Sequence, residues 1–195
     1  MFVAVDLFPG DRLMERSRSA LGFFVVDMPA IESDDVADIQ VTRDRSVESQ
    51  RAAASIWARA TARRDSLLVP APVEEKLPGI RHRLSTDAGS LHVAHLRGEA
   101  AGFALVVAHE SVLELLYLAV APEAWGAGVG SSLLAYVDNL ARVAGVNSLE
   151  LWVIDDNERA VQVYERSGWK PTEDLRISTG RLERRLVKEL SRGLD

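Results

Sequence analysis

The spacing of apolar residues along the chain changes repeatedly, and each change predicts an element. Ile39 to Thr42 alternates as a short strand, and Ser46 is suited to cap a helix over Val47 to Arg64, on which Ala53, Ile56, Trp57 and Ala60 share a face. Residues 69–80 carry Pro70, Pro72, Pro78 and Gly79 and read as loop with at most a short helix. Leu91 to Leu96 and Ala101 to Val107 read as strands joined through Arg97-Gly98-Glu99, a hairpin, and Val112 to Val120 is another strand. After Pro122 the pattern turns helical: Val129, Leu133, Val137 and Leu140 form one stripe and Gly145 is available as the cap. Leu149 to Ile154 is almost continuously apolar, as in a strand covered on both faces. Asn157 then caps a helix to Ser167, stopped by Gly168 and Pro171. For Arg181 to Leu190, leucines at 182, 186 and 190 suit a helix, yet a strand fits as well.

The start of the chain differs in composition. Four of the five phenylalanines (Phe2, Phe8, Phe23, Phe24) lie in the first 28 residues, followed by an acidic linker, Glu32-Ser33-Asp34-Asp35. We read residues 1–36 as an N-terminal extension and 37–195 as one domain. The apolar side chains of that extension need cover, and the equivalent surface of a second copy in a homodimer is one expected destination.

With 47% hydrophobic and 27% charged residues the composition is that of a globular domain. A net charge of −6 argues against nucleic acid. The sequence has no cysteine, which removes disulfides and thiolate chemistry, and its four histidines are scattered, so no metal is expected. No apolar run approaches the roughly 20 residues of a membrane span, and a cytoplasmic setting without membrane partners is the expectation.

The most informative stretch is Glu114-Leu-Leu-Tyr-Leu-Ala-Val-Ala-Pro-Glu-Ala-Trp-Gly-Ala-Gly-Val-Gly130, a strand running through a glycine-rich turn into a helix. Glycines ahead of a helix N-terminus let an anion reach free main-chain amides where the dipole favours it. The turn lacks the Gly-Lys-Ser/Thr of a P-loop, and Ser131 stands where a dinucleotide fingerprint needs its third glycine. A tight turn kept for packing alone is the alternative.

Leu118, Val120, Pro122, Gly128 and Gly130 resemble the central motif of the GNAT superfamily of N-acetyltransferases, with Trp125 where that family commonly has Arg or Gln. Gly98 to Phe103 is similar to its hairpin, and Asn157, Ala160, Tyr164, Glu165, Gly168 and Trp169 resemble its second cofactor motif. The resemblance covers Ile39 to Leu190. It implies an α/β fold with a mixed, splayed central sheet flanked by helices. It implies also that acetyl-CoA lays its pantetheine arm on the main chain of Leu118, Ala119 and Val120. The pyrophosphate would lie on the amides of Gly126, Ala127, Gly128, Val129, Gly130 and Ser131, with Asn157 nearby.

Asn157 and Tyr164 stand two helical turns apart, on one face. In the family a tyrosine at this position commonly protonates the departing thiolate, so Tyr164 is the expected acid; an aromatic packed on the sheet is the alternative. Glu114 is the expected base for the acceptor ammonium, against a solvated strand-end carboxylate, and Glu150 is a weaker candidate. His82, His92, His95 and His109 read as ordinary polar residues, His82 bordering the acceptor loop, and the Arg181 to Lys188 charge run as a solvated face.

The expected function is acetyl transfer from acetyl-CoA to a primary amine in a ternary complex, with an acceptor pocket built from the first helix, residues 65–90 and the last strands. A non-catalytic acyl-CoA-binding module and a transferase of longer acyl chains are the other readings.

Overall fold

In the computed structural model, which describes residues 39–191, the chain runs β1 (Ile39–Arg43), α1 (Val47–Arg64), α2 (Val73–Leu84), β2 (Gly89–Leu96), β3 (Glu99–Ala108), β4 (Val112–Val120), α3 (Val129–Val143), β5 (Ser148–Ile154), α4 (Glu158–Arg166), β6 (Lys170–Ser178) and β7 (Arg181–Glu189). The expected extension over residues 1–36 lies outside the described residues.

The strands form one sheet in the order β1-β2-β3-β4-β5-β7-β6, antiparallel throughout except for β4 and β5. Local chemistry sets the element ends as expected. Ser46 Oγ accepts from Ser49 N (3.1 Å) to open α1, a cap that contributes about 1 kcal/mol. Arg97 and Gly98, both at positive φ, make the two-residue β2–β3 turn. Gly145 at φ +71° closes α3, with Val146 N reaching back to Ala141 O (2.9 Å).

Side-chain contacts assign the faces. Tyr117 on β4 stacks on Trp57 of α1, with ring centroids 4.5 Å apart. A Cβ at Gly102 of β3 would meet Val129 and Leu133 of α3. Thus α1 covers one face and α3 the other. Lys188 of β7 bonds Asp138 Oδ2 on α3 (2.6 Å) and Ser167 O just past α4 (2.5 Å), which puts α4 on the α3 side.

Two expectations are corrected, one strand was not expected, and one open choice between strand and helix is decided. Residues 69–80 are not a loop with a short helix: α2 is a 12-residue helix capped by Pro72, with Pro78 inside it. Leu77, Ile80 and Leu84 bury one stripe, which outweighs the single intrahelical bond Pro78 cannot donate. A strand at Lys170–Ser178 was not expected; β6 takes the sheet edge, where Pro171 is tolerated. Arg181 to Leu190 is strand rather than helix, bonded to β5 on one side and β6 on the other. Its charge run is not a solvated face either: Glu183 is buried, Arg184 pairs with Asp155 (2.6 Å), and Arg185 pairs with Glu150 and Asp174.

Candidate active site

The rung that joins β4 to β5 is short. Pairing runs from Val112↔Ser148 to Leu115↔Leu151 and stops, although β4 continues to Val120 and β5 to Ile154. The two strands part there, and a gap opens toward their C-terminal ends, where ligands of parallel strands ordinarily sit.

The gap is lined by main chain. Ala121 N donates to Ala101 O (2.8 Å), and antiparallel pairs alternate between exchanging hydrogen bonds and not. Phe103/Ala119 is therefore a bonded pair, whereas Gly102/Val120 and Ala104/Leu118 turn the amides and carbonyls of Val120 and Leu118 away from β3. Of the three residues expected to offer free main chain, Leu118 and Val120 face the gap; Ala119 does not, because its groups belong to β3. Val120 O is itself engaged: Trp125 Nε1–H donates to it at 2.8 Å.

At the open end of the gap stands the glycine turn. Gly126 and Gly128 both have φ +88°, and Gly128 opens α3. This left-handed backbone suits glycine and turns the chain so that the first amides of α3, at Val129, Gly130 and Ser131, lack an intrahelical acceptor. Together with the positive end of the helix dipole they are an anion cradle. Expected Ala127 takes part less directly, since its N–H bonds Ala124 O (3.3 Å).

The Acetyltransferase (GNAT) family model matches residues 55–169, spanning the hairpin, the gap, the glycine turn and α4. The chain belongs to this GNAT family. Mycothiol acetyltransferase of Beutenbergia cavernae is 35% identical over 88 residues, 44% of this chain and 30% of that relative. The match therefore spans under a third of the curated relative's length. The ribosomal-protein-S18-alanine N-acetyltransferase from Escherichia coli has the same fold, with a TM-score of 0.63 at 19% identity over 80% of this chain and 97% of the other. The PaiA N-acetyltransferase from Thermoplasma acidophilum, solved in complex with coenzyme A, gives a TM-score of 0.62 at 17% identity over 77% and 98%. The mixed, splayed α/β sheet flanked by helices is the GNAT fold.

In this GNAT chain a bulge decides which face Glu114, the candidate base, occupies. Leu105 pairs with Tyr117 but Val106 with Leu115, so Leu116 is an extra residue on β4. The bulge brings Glu114 and Tyr117, three positions apart, to the same face, that of α1 and α2. Strand alternation alone would separate them. Glu114 is 4% exposed, which overturns the solvated-carboxylate alternative. It lies one residue before the last rung, at the closed end of the gap, and accepts a hydrogen bond from His109 Nε2 to Oε2 at 2.9 Å. That bond raises the pKa of half-buried His109, burial opposes it, and the charges of Glu114 and Glu150 add to the rise. Glu150 is opposite Glu114 in register, and Arg185 Nε and Nη2 both bind its Oε2 (3.0 and 2.6 Å).

Tyr164 projects from α4 on the other face, 3% exposed, its ring edge-on to Trp169 at 6.0 Å. Burial pushes its phenol well above the ordinary range, so it stays protonated. The structure thus places Tyr164 and Glu114 on opposite faces of the sheet and not in contact. Asn157 Oδ1 caps α4 by accepting from Ala160 N (3.3 Å). His109 and the Trp125 bond were missed from sequence. Nothing in the spacing marks them, since both depend on where a bulge and a turn carry the chain. Of the other histidines, His92 is fully buried against Tyr136 (5.1 Å) and bonds Ser90 Oγ (2.9 Å). No cluster of three or more potential metal ligands occurs among the described residues.

Proposed function

We propose that this GNAT chain transfers an acetyl group from acetyl-CoA to a primary amine by direct attack in a ternary complex. The observation that carries this reading is the end of β4–β5 pairing at Leu115, which leaves the main chain of Leu118 and Val120 beside a left-handed glycine turn that opens α3. The residues fit the co-substrate: the N–H groups of Leu118 and Val120 and the carbonyl of Leu118 suit the amides of a pantetheine arm. The amides of Val129, Gly130 and Ser131 suit a pyrophosphate, with Gly126 and Gly128 allowing its approach.

Glu114 takes the proton that an acceptor ammonium must lose before its nitrogen can attack the thioester carbonyl. As the C–S bond breaks, Tyr164 donates a hydrogen bond to the departing sulfur and then its proton; burial keeps the phenol protonated until charge develops on sulfur, and works against the final transfer. The acceptor enters from the α1 and α2 face, where Glu114 lies. Trp152 lies on that face, with the Arg176 guanidinium 4.1 Å above its ring. Arg181 reaches Asp65 (3.4 Å) across the end of this region. The same reading includes a cytoplasmic setting, supported by the cysteine-free sequence, and a homodimer joined through residues 1–36, supported by their phenylalanine content.

The test is thiol release from acetyl-CoA in the presence of a broad amine panel, with the acetylated amine identified by mass. Amine-dependent release with one acetylated product per thiol is expected. Acetyl-CoA binding without turnover on any amine would favour a non-catalytic acyl-CoA-binding module.

A further inference from the structure

Glu114 is a buried carboxylate with a second carboxylate beside it. Glu150 faces it across the β4–β5 rung on the same side of the sheet, and the Arg185 guanidinium bonds Glu150, not Glu114. Glu150 is only partly buried, but two carboxylates this close repel each other unless donors are aimed at each. For Glu150 the donor is Arg185; for Glu114 it is His109, at the end of the β3–β4 turn, Nε2 2.9 Å from Oε2. An ionised carboxylate only accepts, so Nε2 carries the hydrogen.

We propose that His109 is a positioning residue for acetyl transfer: by donating Nε2–H to Oε2 it fixes the orientation of the Glu114 carboxylate and leaves Oε1 as the oxygen that receives the acceptor's proton. This rests on the transfer reading above. His109 is placed for the task, because its own strand end is fixed by its N–H bonding Val112 O (2.9 Å) while its side chain is 30% exposed. The charged groups around it are Glu114 on β4, Glu150 on β5, Arg185 on β7 behind Glu150, and exposed Glu110 next to it in the turn. Without the imidazole, the Glu114 carboxylate would keep its place opposite Glu150 but lose the donor that orients it.

The experiment compares the full chain with His109→Leu and His109→Gln. Glutamine keeps an N–H near the place of Nε2, and leucine keeps only bulk. Leucine is expected to lower kcat by about tenfold, with KM for acetyl-CoA within about twofold. Glutamine should recover most of the neutral rate. Equal kcat for leucine and glutamine, or a loss carried by KM instead of kcat, would overturn the role. A second readout needs no turnover: the imidazole midpoint of His109, followed by NMR, should fall in Glu114→Gln, and an unchanged midpoint would overturn the pairing. If the parent binds acetyl-CoA yet transfers nothing, the transfer reading fails while the midpoint still reports on the pair, so the two failures are distinct.

Discussion

Trp125 donates its indole N–H to the carbonyl of Val120 across 2.8 Å, tying the glycine turn back to the strand it leaves. The side chain is thereby committed to the floor of the gap. Trp125→Phe keeps the ring and removes the donor. A hydrogen bond of this kind contributes about 1 kcal/mol, so the expected result is a KM for acetyl-CoA raised by roughly fivefold with kcat little changed. Steady-state kinetics with acetyl-CoA varied checks it, and an unchanged KM would show that the turn holds its shape without the bond.

Gly128 opens α3 at φ +88°. Gly128→Ala should cost about 1–2 kcal/mol of stability through backbone strain alone, and should weaken acetyl-CoA binding beyond that, because a Cβ enters the approach to the first amides of α3. Calorimetric affinity beside a denaturant melt separates the two effects. A loss of stability with parental affinity would leave the turn a packing device.

Tyr164→Phe retains the ring against Trp169 and deletes the hydroxyl. Turnover should fall by about 10²-fold with acetyl-CoA affinity unchanged. Equal kcat in the two proteins, with chemistry rate-limiting, would assign the thiolate proton to water.

His92 is buried on β2, and loss of hydration, with Arg43 nearby, lowers its pKa from 6.5 to about 3. The unfolded chain therefore binds a proton near pH 6.5 that the folded chain refuses until about pH 3, so stability is lost as pH falls through this window. The slope approaches about 1.4 kcal/mol per pH unit below 6.5. The shifted carboxylates Asp44 and Asp65 are lowered and act in more acidic solution. Urea midpoints between about pH 7.5 and 5 should decline in the parent and should not decline in His92→Leu, where the raised pKa of His109 favours the folded chain as pH falls. Parallel declines would place the acid sensitivity elsewhere.

Much of the fold was legible because the elements that hold the site have strong local signals: Ser46 and Asn157 as caps, the hairpin turn at Gly98, the stripe of α3, and the glycines before it. The same signals misled where a tertiary partner decides. Pro78 reads as a breaker but sits in α2 because Leu77 and Ile80 bury against the sheet, and Leu182 and Leu186 keep a helical interval although β7 is paired on both sides. The glycine turn was legible because backbone conformation at glycine carries it. The face on which Glu114 stands was not, because the extra residue at Leu116 inverts strand parity and no residue type announces a bulge. Without it Glu114 would not share a face with Tyr117.

The most direct measurement is a crystal structure of the chain with acetyl-CoA. The account predicts the pantetheine arm bonded to Val120 N and to the main chain of Leu118, the pyrophosphate on the amides of Val129 to Ser131, and the thioester at the closed end of the gap, between Glu114 on one face and Tyr164 on the other. Acetyl-CoA bound on any other surface, or lying in the gap with its thioester turned away from both residues, would contradict it.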